Sequence, residues 1–172
     1  MDLERDWFAA SLLAPDTLWK LQAKYHGCLR ETLAWGNLSA TYVLTASEET
    51  RSKAAATKTV SLARFCQYTV SYCSTVTFFG RGLLELAPDF LHHYQEFETE
   101  SWKIFYRLPP FIARRSHRGK NKGIEALVKY LELPDRERVD MEGIFKTITS
   151  ELGYLGVDQH DIAAFVMVFV WA

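Results

Sequence analysis

Long apolar runs are scarce in this sequence. No stretch reaches the roughly 20 apolar residues that a membrane-spanning helix needs. Even the wholly apolar residues 162–172 would cover only about 16 Å as a helix. The opening MDLERDWFAA is acidic and amphipathic, without the basic start and apolar run of a secretory signal. An intracellular location with no anchor in the chain is the expectation. An excess of either charge is missing too: the formal net charge is -1, so nothing in the bulk electrostatics points to a nucleic-acid partner. Cysteine is limited to Cys28, Cys66 and Cys73, with no C-x-x-C pair. That odd count argues against a disulfide framework or a zinc site and fits a reducing compartment. There is no H-E-x-x-H, no G-x-S-x-G, no phosphate loop and no dinucleotide fingerprint, so the common hydrolase and nucleotide-binding classes find no support.

What is present is the composition of a packed domain. The 172 residues are 48% hydrophobic and 24% charged, which excludes a disordered chain and suits one domain. Helical spacing dominates. Leu18, Leu21, Tyr25, Leu29 and Leu33 line one face of a helix opening at Pro15-Asp16 and stopping at Gly36-Asn37. LSATYVLT reads equally as a short strand or an extended turn. The polar ASEETRSKAAATKT after it reads as a surface connection or a frayed helix start. From Ser61 to Phe79, length favours a helix over a strand despite the β-branched residues. Leu62, Phe65, Cys66, Cys73, Val76 and Phe79 share its face, and Gly80 and Gly82 break it. Pro88-Asp89 opens the clearest helix, with Phe90, Tyr94, Phe97, Ile104, Phe105 and Leu108 as its stripe and Pro109-Pro110 as its stop. The basic ARRSHRGKNKG then reads as a solvated loop, ahead of a short helix through Ile124, Leu127, Val128 and Leu131. Met141, Ile144, Phe145, Ile148 and Leu152 mark another helix, closed by Gly153. Asp158 caps the last, with Asp161 three residues on. The expectation is an all-α fold, a single helical domain over residues 1–172.

Few groups suggest chemistry. His92 and His93 are adjacent, so on a helix they point about 100° apart, and surface or partly buried histidine is favoured over a metal site. Cys66 and Cys73 read as packing residues rather than nucleophiles. The cluster Arg114, Arg115, Arg118, Lys120 and Lys122 has the composition to touch phosphates or an anionic membrane surface, but the solvated loop is favoured. Asn37-Leu38-Ser39 matches a glycosylation sequon without a secretory context. The run from Ile162 to Trp171 stands apart. A helix apolar all round must be buried on every side, which creates the expectation that further protein covers it.

FFGRGLLELAPDFLHHYQEFETESWKIFYRLPP and ELGYLGVDQHDIAAFVMVFVWA resemble the middle of a cytochrome P450, a haem-thiolate monooxygenase, of the fungal branch similar to sterol and prostacyclin-type enzymes. The resemblance places Leu155-Gly156 and Asp161-Ile162-Ala163 at the opening of the long central helix over the haem, with Trp171-Ala172 just before the oxygen-binding turn. It makes residues 61–79 and 89–108 the helices that scaffold and roof the substrate pocket, and the basic stretch the connection near the membrane-facing entrance. It implies a parent that binds haem and iron and oxidises a lipophilic, sterol-like or secondary-metabolite substrate with a reductase partner at the endoplasmic reticulum surface. The family's haem ligand lies in Phe-x-x-Gly-x-x-x-Cys, yet Lys24, Leu62 and Thr69 stand where that glycine would precede each cysteine. Glu48 and Arg51 share the Glu-x-x-Arg spacing but lie in the early polar connection, where the match is chance. No catalytic residue and no haem-binding residue carries over. Phe165 and Phe169, one helical turn apart, are the substrate-pocket candidates, with core packing as their alternative. The chain then reads as part of a larger P450 domain that ends within the central helix and is inactive by itself. The alternative is a helical ligand-binding or oligomerisation module, self-associating from Ile162 to Trp171.

Overall fold

The computed structural model describes residues 15–38, 43–47 and 57–171. Among them run seven helices: α1 (Pro15–Thr32), α2 (Leu62–Phe79), α3 (Gly82–Leu86), α4 (Phe90–Phe105), α5 (Arg114–Leu131), α6 (Gly143–Tyr154) and α7 (Gln159–Trp171). The fold is all-α, with one antiparallel ribbon of β1 (Val43–Ser47) and β2 (Thr57–Val60). Glu48, Arg51 and the opening decapeptide lie outside the described residues. No described helix is long and apolar enough to cross a membrane.

The ribbon decides one ambiguity and corrects one reading. LSATYVLT supplies the strand β1, and the end of the supposed surface connection supplies β2, pairing Thr45 with Thr59 and Ser47 with Thr57. β-Branched residues favour this pleat once a partner strand exists, and the partner is what a single-segment reading lacks. The first helix ends at Thr32, and Gly36-Asn37 falls in a separate 3-10 turn (Trp35–Asn37). There the Asn37 side chain donates to the Glu31 carbonyl.

The larger correction concerns the basic stretch, which is the first half of α5 rather than a loop. Its charges stand outward while Ser116, Gly119 and Gly123 turn inward and are buried. The inward residues are small, so the segment carries no apolar periodicity, and the pattern becomes visible only from Ile124. Gly119 permits a close approach of two helix backbones. A Cβ there would lie 2.5 Å from the His93 carbonyl oxygen and 2.7 Å from the Phe97 nitrogen. Ser116 donates to the Phe97 carbonyl at 3.3 Å. These two positions let the α4 and α5 backbones meet almost without side chains between them.

The face assigned to α2 is also corrected. Leu62 and Cys66 are exposed, while Thr69, Ser71, Cys73, Thr75, Val76, Thr77 and Phe79 are buried. Ser71 and Thr75 return their hydroxyls to the carbonyls of Gln67 and Ser71, which makes small polar side chains tolerable inside. On α4, Phe90 and Tyr94 are buried as the stripe implies, Leu91 is buried beside them, and Phe105 is exposed. The main core joins these to Ile124, Leu127, Tyr130, Phe145, Ile148, Ile162 and Val166. Buried Tyr130 donates its hydroxyl to the Phe79 carbonyl, tying α5 to the end of α2.

The turn into α7 has a clear local cause. Gly153 does not close α6, which runs to Tyr154. Gly156, at φ 79, takes the left-handed position. Its N–H donates to the Gly153 carbonyl and that of Val157 to the Leu152 carbonyl, a Schellman ending. Two residues later the Asp158 carboxylate accepts the His160 N–H at 2.9 Å, capping α7 as its sequence suggests.

Gly119→Ala is expected to cost about 3 kcal/mol through overpacking against backbone. Gly27→Ala, with nothing near its added methyl, is expected to stabilise by about 0.5–1 kcal/mol. Urea unfolding followed by circular dichroism distinguishes the two.

Candidate functional site

Two places collect features beyond packing. The first is α7, which packs on α5, α6 and α2. Ile162, Ala163, Val166 and Met167 are buried, and Met167 reaches to the edge of Gly123 on α5. The outer side of the same helix is apolar as well: Phe165 is 47% and Val168 is 55% exposed. Phe165 therefore stands on the surface of the described residues rather than at their centre. Phe169 lies one turn further along α7, and its side chain is outside the described residues.

The second place is the outer side of the α4–α5 interface, where Glu96 is buried with its side chain 3% exposed. A buried carboxylate needs partners. Arg118 supplies a short hydrogen bond from Nη2 and a second from Nε at 3.3 Å. Arg115 Nε adds another at 3.3 Å. Two histidines from the carboxylate's own helix complete the cluster. His92 Nε2 lies 3.6 Å from Oε1 and His93 Nδ1 lies 3.6 Å from Oε2. Adjacency alone sets the two histidines apart, and Glu96 is the residue that joins them. The available signal was its spacing, three and four residues on, which places it on the histidines' face. Arg115 and Arg118 are exposed, as a solvated stretch implies, but their guanidiniums hold Glu96.

Burial by itself would raise the Glu96 pKa, but the Arg118 hydrogen bond and charge outweigh it, with smaller help from His92 and His93. The net effect holds the carboxyl below the usual carboxylate range. A group lowered in the fold contributes stability at pH values above its unfolded pKa, and that contribution is lost as pH falls through the folded value. A groove of about 440 Å³ runs beside the cluster, lined by Arg64, Gln67, His92, Gln95, Glu96, Thr99 and Arg115.

The cysteines bear on the haem that the resemblance implies. Cys28 and Cys73 are buried against one another between α1 and α2. Burial first, and then the Cys28 contact, push the Cys73 thiol up to about 12. Such a group stays protonated at neutral pH, the opposite of what an axial thiolate requires. Cys66 is exposed on the surface of α2. The described thiols do not fit a haem, and no oxygen chemistry is derived through them. Comparison of the chain with family models, with curated protein sequences and with solved structures gives no match.

Glu96→Gln is expected to cost about 1–3 kcal/mol at pH 7, as a charge-assisted hydrogen-bond set is lost. It should also flatten the fall in stability below about pH 4.3, the ordinary glutamate range; thermal melts across pH 3–7 measure both. A disulfide thiol reagent is expected to label Cys66 rapidly, with Cys28 and Cys73 reacting only on unfolding.

Proposed function

We propose that the chain forms part of a haem-thiolate monooxygenase domain of the cytochrome P450 kind. In this reading α4 belongs to the roof of a lipophilic substrate pocket and α7 opens the central helix beneath it. The observation that carries the reading is α7, a helix apolar on the side it buries and on the side it exposes, in contact with three other helices. An apolar helix of that kind belongs inside a larger core. The Schellman ending at Gly156 and the Asp158 cap end α6 and start α7 between Leu155-Gly156 and Asp161-Ile162-Ala163, the segments that carry the resemblance.

The described residues supply shape and apolar lining, with Phe165 as a pocket-wall residue, rather than a ligand to iron. Haem, when bound in the parent, supplies oxygen activation, and a reductase supplies electrons. The substrate class is lipophilic, sterol-like or a secondary metabolite, and the parent works at the endoplasmic reticulum surface. The basic half of α5 follows the roof helix near the entrance, now as an ordered helix rather than a connection.

Sequencing of the full transcript beyond the Ala172 codon tests the reading. In-frame Glu-x-x-Arg followed by Phe-x-x-Gly-x-x-x-Cys is the expected result. A stop with neither motif, together with a cooperatively unfolding dimer by light scattering, would replace it with self-association through α7, from Ile162 to Trp171.

A further inference from the structure

The Glu96 cluster has a geometry that its ion pairs do not explain. His92 Nε2 and His93 Nδ1 each lie 3.6 Å from a Glu96 oxygen. That is too long for a hydrogen bond. One ligand atom from each of the three residues falls within 4.8 Å of the others. His93 Nδ1 is buried and has no hydrogen-bond partner, and an unsatisfied buried nitrogen is costly. Two imidazoles and a carboxylate are the donor set of zinc. Zinc–ligand bonds of about 2.0–2.1 Å put neighbouring ligand atoms about 3.3 Å apart in a tetrahedron. The histidines face different oxygens of Glu96, so with one oxygen as ligand one edge is already near that length and the others lie within 4.8 Å. The longer edges close by small rotations of the Glu96 carboxylate and of His92, whose side chain is 64% exposed.

We propose that His92, His93 and Glu96 form a binding site for a divalent transition-metal ion of the zinc type. The site is independent of the monooxygenase reading. A water from the adjoining groove takes the fourth position. The arginines set the strength of the site. Arg118 orients the carboxylate and keeps it ionised, as hydrogen bonds to ligating carboxylates do in metal sites. Arg115 adds an opposing positive charge, moderated by its 58% exposure. This balance predicts a site of moderate affinity in which removal of Arg115 strengthens binding, the reverse of what loss of a packing residue does.

The test is calorimetric titration of the full chain with zinc near pH 7.5, in a Cys66→Ser background so that the exposed thiol does not compete. One ion per chain is expected. His93→Gln and His92→Asn should each weaken binding at least tenfold. Arg115→Gln should strengthen it by about five- to thirtyfold, the range for a unit charge a few ångströms from a divalent ion at high dielectric with and without salt screening. Circular dichroism establishes that each variant is folded, and the exposed position of His92 keeps its variant informative if His93→Gln does not fold. Absence of saturable binding, unchanged affinity in the folded histidine variants, or weakened binding in Arg115→Gln overturns the proposal.

Discussion

The close contact between α4 and α5 is the constraint on which the rest of the structure depends. Gly119 removes the side chain that would hold the two backbones apart, and Ser116 gives its hydroxyl to α4. The approach leaves Glu96 buried, a position that only compensating charge makes tolerable. The same helix that supplies the clearance supplies the charge: Arg118 directly precedes Gly119, and Arg115 lies one turn earlier. Further along, Gly123 receives Met167 of α7, and Tyr130 fastens to the end of α2. Charge at one end of α5 and apolar packing at the other thus position four helices.

Much of this order is legible in the sequence where one face is clearly apolar. Phe90 and Tyr94 on α4 and Ile144, Phe145 and Ile148 on α6 are buried as their spacing implies. The Asp158 cap follows from chemistry that is local by nature. The failures share a cause. The first half of α5 buries Ser116, Gly119 and Gly123, residues that score as helix-neutral or helix-breaking and carry no apolar signal. α2 buries threonines and serines while exposing Leu62, because its neighbours reward small size over hydrophobicity. β2 is invisible without its partner strand. In each case tertiary context overrides the local pattern.

The candidate sites divide in the same way. Phe165 is legible because α7 is apolar from Ile162 onward, a property of consecutive residues. The Glu96 cluster is half legible. The i, i+1, i+4 spacing of His92, His93 and Glu96 is written in α4, but the arginines come from another helix. Whether a helical His-His-Glu set is a solvated surface or a buried cluster depends on what covers it. Here the cover is the stretch whose charges made it look like a loop.

The two sites also differ in how they respond to change, because different physics governs them. The outer face of α7 owes its character to apolar area, which is non-directional and tolerant of volume-conserving exchange. The Glu96 cluster rests on directed contacts around one carboxylate, so a small displacement of α5 alters every distance in it. Both meet at α5: its Gly119 end sets the depth of Glu96, and its Gly123 end sets the seat of α7. A displacement of α5 therefore disturbs both sites together. A change confined to the His92 imidazole disturbs only one. The chemistry of the cluster and the packing of the apolar helix are separable by substitution, although one helix builds them both.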